Sequence, residues 1–481
     1  MTSARAENDG PGVFEASTDV GQVERPGTAA FDAAKREYRV TGSGANMWGN
    51  VDAFQFVWKK ASGDVELSAE VNWQGEGKNA HRKAGVMVRQ DLEPGSPYAD
   101  AVVHGDGLIS LQYRRTRSGP TLEVKSPIKP PASIKLERTG DLFTLSVAPL
   151  GENYRPAGSV TIALSGEVHA GLVVCSHDTA VSETAVFQGV EFKSEPAGAN
   201  QTRVRESTLE TVAIASGLRK IIYRARDHFE APNWSRDGRT FYFNRGGSIC
   251  SLPVDGGTPM RIDTGDANRC NNDHGLSPDG RSLAISHTDP TLRQSVISLV
   301  AIEGGTPKRI TPLGPSYWHG WSPDGQTLAY CAQRKGDFDI YTIAASGGEE
   351  TRLTTAAGLD DGPDYSPDGT HIYFNSERTG TMKIWRMHSD GTNQEQVTPG
   401  ALSADWFPHP SPDGKWLVFL SYDKTVTGHP ADKDVVLRIM PLGGGTPRTL
   451  ATLFGGQGTI NVPSWSPDSK NLAFVSYRMV K

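Results

Sequence analysis

No stretch of the 481-residue sequence strings together the eighteen or so apolar residues of a bilayer-spanning helix. Cysteine is scarce. Cys175, Cys250, Cys270 and Cys331 show no metal-type spacing. Cys250 and Cys331 fall in β-type runs and read as buried thiols, whereas Cys270 lies beside charged groups in an expected loop. Basic charge is not in excess, since 49 Lys and Arg stand against 55 Asp and Glu for a net −6. That leaves no electrostatic footprint for nucleic acid. There is no Gly-x-Ser-x-Gly elbow, phosphate loop, His-Glu-x-x-His or dinucleotide fingerprint. The opening Met1-Thr-Ser-Ala-Arg-Ala6 lacks the apolar core of a signal peptide. A periplasmic or secreted location then requires a leader already removed; otherwise the chain is cytoplasmic.

What is abundant is turn chemistry, with 53 Gly and 31 Pro. In the C-terminal half one tetrapeptide recurs after an aromatic or apolar residue. Its copies begin at Ser235, Ser277, Ser322, Ser366, Ser411 and Ser466, spaced by 42 to 45 residues with one interval of 55. Five copies carry Pro-Asp after the Ser, and the first reads Ser235-Arg-Asp-Gly238. Pro presets φ, Asp caps the turn and Gly supplies a positive φ. A short β run follows each copy, then a second run, a Gly turn such as Glu303-Gly-Gly305, and a closing run such as Lys308 to Thr311. A period of this size with four short strands per unit predicts propeller blades. After the sixth copy only one strand fits, and runs at 209–214 and 220–224 supply the missing pair. Six blades closed by strands from both ends follow.

These tandem Ser-Pro-Asp-Gly repeats resemble the TolB-type six-bladed propellers, also called WD40-like or PD40 repeats, over residues 207–481. The resemblance is specific for fold. It covers the periplasmic Tol accessory protein, peptidase propeller domains and uncharacterised proteins, and oligosaccharide lyases have related propellers.

Residues 13–195 have no such period. Runs at 65–73, 84–89, 101–104, 109–114, 142–147, 160–164, 171–175 and 185–192, set apart by Gly, Pro and Asp turns, predict a β-sandwich. The segments Phe54 to Trp58, Glu66 to Val71 and Ala84 to Arg89 are similar to concanavalin-like jelly rolls, a resemblance that implies glycan binding and, in one branch, cleavage of oxidised glycosides. Trp48, Trp58, Trp73 and Tyr113 are either sugar-stacking or core residues. No catalytic set is evident in this half. Residues 196–206 read as a linker. The expected fold is all-β, a sandwich followed by a six-bladed propeller.

Placing each blade's first strand innermost brings the inter-blade loops and the loops joining strands two and three to one upper mouth. The inter-blade loops hold His228, His274, His319 and His409, and three of these lie at nearly the same offset from their tetrapeptides. His274, His319 and His409 are candidate ligands of one divalent metal ion (Mn, Zn, Ca or Ni), or acid/base groups; in the bland alternative each His bonds only to its neighbouring blade. No organic cofactor is expected. Candidate substrate-binding residues are Arg269, Asn272, Tyr317, Trp318, Asp361, Trp406, Asn461 and Glu230. Blade five carries the longest loop, 421–434, a lid offering Lys424 and His429 as further catalytic candidates. Arg245, Arg293, Arg334, Arg378 and Arg478 either hold an acidic sugar or form surface ion pairs.

The function expected from these groups is a carbohydrate-active enzyme, a lyase or hydrolase working on a glycoside or oligosaccharide at the upper mouth. In a lyase a His or Lys would remove a proton α to a carbonyl. The alternative is a non-catalytic TolB-like protein that recognises a protein or a cell-envelope glycan. A carbohydrate partner is expected, nucleic acid is not, and oligomeric state is left open.

Overall fold

The computed structural model describes residues 12–77, 79–195, 202–400 and 402–480. Among these there is no helix, and so none long and apolar enough to cross a membrane. The chain divides into two compact units, up to Arg203 and from Val204 to Val480.

The first unit is a sandwich of two antiparallel seven-stranded sheets. One has Lys83–Arg89, Tyr98–His104 and Ile109–Arg114 near one edge and Phe54–Ser62 and Glu167–Cys175 near the other. The second is built around Asp64–Gln74, Ala132–Thr139 and Asp178–Glu195. Alternate residues such as Ala84, Val86 and Val88 turn inward toward Leu67, Ala69 and Leu136. The opposite face of the first sheet is also covered. Met47 packs there on Phe54, Phe56, Met87, Tyr98 and Val173. Arg114 is fully buried on that face, with both terminal nitrogens on Asp52 at 2.7 and 2.8 Å. A buried charge survives only when paired in this way. Tyr113 is a core residue, Trp73 lies under the Arg82 guanidinium, and only Trp48 stands exposed.

The second unit has five four-stranded sheets and one of three strands. The sixth blade sets Val204–Ala213 between Arg219–Ala225 and Asn471–Val480, in unbroken register from Val204↔Val480 to Ala213↔Asn471. Trp465 completes it through a single bridge to Leu472. The expected closure from both ends is present. The strand begins at Val204, inside the stretch read as linker, while 196–201 lie outside the described residues. Glu210 locks the seam. It takes Arg219 at 2.8 and 2.9 Å and the Ser476 hydroxyl at 2.6 Å, and is itself buried.

Every tetrapeptide makes the same turn. In blade two the Ser277 hydroxyl donates to Asp279 Oδ1 at 2.5 Å, and the Arg281 N–H donates to the same oxygen at 3.0 Å. Ser277 Oγ accepts the Ser282 N–H at 3.0 Å. These bonds hold the Asp279 carboxyl below its ordinary range. The glycine that ends the turn has φ near +70° in blades one to five, and Ser469 takes the same conformation in blade six.

One expectation is corrected. In five blades the segments read as inter-blade loops are the innermost strands themselves, Phe229–Trp234, Cys270–Leu276, Ser316–Trp321, Asp360–Tyr365 and Ser403–Pro410, while 457–461 of blade six form turns and bends. Each of these strands pairs with the strand after its tetrapeptide through a register shift. They line the ring's centre with polar side chains and so lack the apolar alternation that marks a strand.

Candidate functional site

The two ends of the central channel differ. At the turn end the walls enclose a cavity of about 270 Å³. Its sides come from residues directly before each tetrapeptide serine: Trp234, Trp321, Tyr365 and Trp465, with Leu276 and Pro410 in the other two blades. A second tier comes from the second turn position, Pro278, Pro323, Pro367 and Pro412, and in blade one Arg236. The rings are fixed from behind. Trp321 Nε1 donates to Gly275 O at 3.2 Å and Trp465 Nε1 to His409 O at 2.9 Å. Gly275 is required here, since a Cβ would fall 2.0 Å from Trp318 Cη2. Aromatic and prolyl walls of this kind offer rigid apolar area with little side-chain freedom to lose on binding.

The cavity floor is polar. Asp364 Oδ2 lies 3.0 Å from His409 Nδ1, and His409 Nε2 donates to Ile460 O at 2.7 Å. Burial raises the Asp364 pKa against the opposing pull of His409.

At the upper end His429 of the blade-five loop meets Trp406 and Phe407 edge-on at 4.5 and 5.2 Å between ring centres. His429 Nε2 is 3.9 Å from Asp361 Oδ2. Beneath it His319 Nε2 lies 3.1 Å from Asp361 Oδ1, and Nδ1 donates to Asn461 O at 3.3 Å. Burial works against charge on His319, but Asp361 and Asp273 outweigh it and raise its pKa. Burial likewise opposes charge on Asp361, and His319 overcomes it and holds that carboxyl down. Asp273 is pushed up to about 7 by burial, with His319 opposing and Asp361 and Glu230 reinforcing. His274 is driven down to about 4 by burial. Its ring approaches the backbone of Tyr242 and Asn272, but neither nitrogen reaches hydrogen-bond geometry.

The structure thus brings together His319, Asp361, His429, Asn461 and the edge of Trp406 from the expected set. Asn272, Tyr317 and Glu230 lie on the innermost strands, each five residues before its serine. It does not gather the three histidines. His319 and His409 each spend one ring nitrogen on a carbonyl and the other on a carboxylate, and neither ring nitrogen of His274 has a hydrogen-bond partner. Among the described residues no three His, Cys, Asp or Glu side chains are placed to hold a metal ion. Trp318 and Trp406 are 1% exposed, and Trp318 borders the turn-end cavity. Arg269 and Lys424 are exposed outside the channel. Of the loop arginines, Arg245, Arg334, Arg378 and Arg478 are paired with Asp227, Glu350, Asp360 and Glu206. Cys270 is buried, and its thiol is pushed up to about 12.

Of the residues that line the open cavity, Trp318 was among the candidates and the others were not. Their signal was available: the aromatic before each serine, and the one arginine standing where five tetrapeptides have proline.

Comparison with known proteins agrees with this architecture. The model of the TolB β-propeller domain (PD40) matches residues 293–440. An uncharacterised protein of Agrobacterium fabrum is 49% identical over 272 residues, which is 56% of this chain and 92% of that protein. The structure of a TolB candidate from Agrobacterium tumefaciens aligns at 48% identity and TM-score 0.56, over 58% of this chain and 99% of its own. An oligogalacturonate lyase in complex with manganese reaches only 16% identity and TM-score 0.36, over 53% of this chain and 75% of its own, too distant to carry an argument. The chain belongs to the TolB-like β-propeller family.

Proposed function

We propose that the propeller is a non-catalytic recognition module whose ligand is a segment of another protein, taken up by the aromatic and prolyl cavity at the turn end of the channel. The observation that carries this reading is the contrast between the two ends. One is open and walled by Trp234, Trp321, Tyr365 and Trp465. At the other, His429 meets Trp406 beside an ion pair already satisfied within the protein. The carbohydrate-active reading has less support, because Trp318 and Trp406 are buried and His319 and His409 are bonded to carbonyls and carboxylates within the ring. By family relationship the module would work in the periplasm.

The test is a selection from a random dodecapeptide display library on the intact chain, repeated on Trp321→Ala. The expected outcome is a set of aromatic or prolyl peptides that bind wild type and lose about tenfold or more in affinity on the variant, as truncation of a central aromatic anchor does. Selected peptides that bind both proteins equally, or no selected peptides at all, would overturn it.

A further inference from the structure

Arg236 breaks the pattern of the turn ring. In blades two to six the second turn position is proline, and in three of them the pyrrolidine lies against the glycine of the next blade's turn. A Cβ on Gly325 would sit 3.5 Å from Pro278 Cδ, one on Gly369 3.6 Å from Pro323 Cδ, and one on Gly238 3.8 Å from Pro467 Cδ. Arg236 fills the same place with its stem, its Cγ being 3.3 Å from the Cβ position of Gly280. The aliphatic part therefore replaces the ring as packing, and the guanidinium is an addition at the cavity wall.

That guanidinium is under-used. Its recorded bond is a long one, from Nε to Ser277 O at 3.3 Å. Among the described residues no carboxylate forms an ion pair with it, whereas Arg245, Arg334, Arg378 and Arg478 of the other loops are paired. The nearest negative groups are Asp279 and Asp364. Asp279 is turned back onto its own tetrapeptide, bonded to the Ser277 hydroxyl and the Arg281 N–H. Asp364 is committed to His409. Four of the six turn aspartates have a cation two residues on, at Arg239, Arg281, Lys415 and Lys470. Within the cavity, the unbalanced charge is the one on Arg236.

We infer that the segment received by the cavity carries a carboxylate, from Asp, Glu or a chain terminus, held by Arg236 while its apolar side chains enter among the tryptophans. This rests on the cavity being the recognition site. A planar guanidinium at the wall can offer a carboxylate two parallel N–H bonds, which no prolyl position can.

The experiment extends the dodecapeptide selection to Arg236→Gln and Arg236→Pro. The proline variant restores the residue of the other five turns, so its fold is secured by precedent within the same molecule, and thermal unfolding verifies both variants. The expected result is enrichment of Asp and Glu over Asn and Gln on wild type, lost on both variants while the aromatic preference stays. A synthetic peptide from the selection should bind about tenfold more weakly after Asp→Asn on wild type, and be indifferent to that change on Arg236→Gln. Peptides that depend on Trp321 but show no acidic preference, or keep it on both variants, overturn this inference and leave the recognition site standing. An absence of Trp321-dependent peptides overturns both.

Discussion

Asp273 and the turn glycines show how much a single side chain or its absence contributes. Asp273 has an ordinary carboxyl value of 3.8 and a folded value of about 7. The native state therefore binds its proton more tightly than the unfolded chain. The associated stability is full below about pH 4 and is lost as pH rises through 7. Asp273→Asn should be the more stable protein above pH 7, by about 2 kcal/mol at pH 8, with the gap closing by pH 4. Urea midpoints at the two pH values check this, and an equal gap at both would refute it. Gly325 has φ +71°. Gly325→Ala should cost about 1 kcal/mol through the left-handed conformation, read as a lower unfolding temperature without loss of the fold. These turns were fully legible in the sequence, because Ser, Pro, Asp and Gly each act on the backbone within five residues. Asp361 and Asn461 were legible as residues of the same mouth as His319, but their bonds to it were not, because they arrive from other blades.

Among the strands and loops, those shaped by apolar alternation were readable and those facing the channel were not. Thr327–Lys335 and Asp337–Ala344 announce themselves through β-branched and aromatic runs. Cys270–Leu276 reads as a loop, since Asn271, Asn272 and Asp273 give no apolar face, yet its backbone still pairs with Ser282–Thr288. The blade-five loop was recognised by its length as a lid. Its resting place was not, because that depends on His429 meeting Trp406 and Phe407. His429→Ala should loosen this cover while leaving the blades intact. Limited proteolysis should then cut between residues 423 and 433 several times faster, with little change in unfolding temperature. Unchanged cleavage would show that the Asp432 pairing with Arg205 and the Pro430 carbonyl bonds hold the loop without the ring.

For the molecule as a whole, the fold was read from period and turn chemistry, and the functional end of the propeller was not. Periodicity fixes which segments are equivalent but is silent about which end of a ring is open. That is decided by one long loop and by the size of the side chains lining the axis. Ring integrity depends on the sixth blade, where Glu210 sits between Arg219 and Ser476. Glu210→Ala leaves a buried guanidinium uncompensated and should destabilise the propeller by about 3 kcal/mol, seen as a shifted thermal transition. A shift below about 1 kcal/mol would mean that the seam is held by the strand ladder alone.

The same seam sets a timetable for biosynthesis. Ser476 and Glu210 lie 266 residues apart in the chain. On the ribosome, Val204–Ala213 emerges early and has Arg219–Ala225 on one side, but its other edge stays bare until residues 471–480 have left the exit tunnel. For the minute or less that this takes at ordinary elongation rates, the nascent propeller is an open arc with an unpaired strand at its leading end. A holdase that shields that edge, or slow release that exposes it, would govern the yield of folded protein more than the stability of the finished ring.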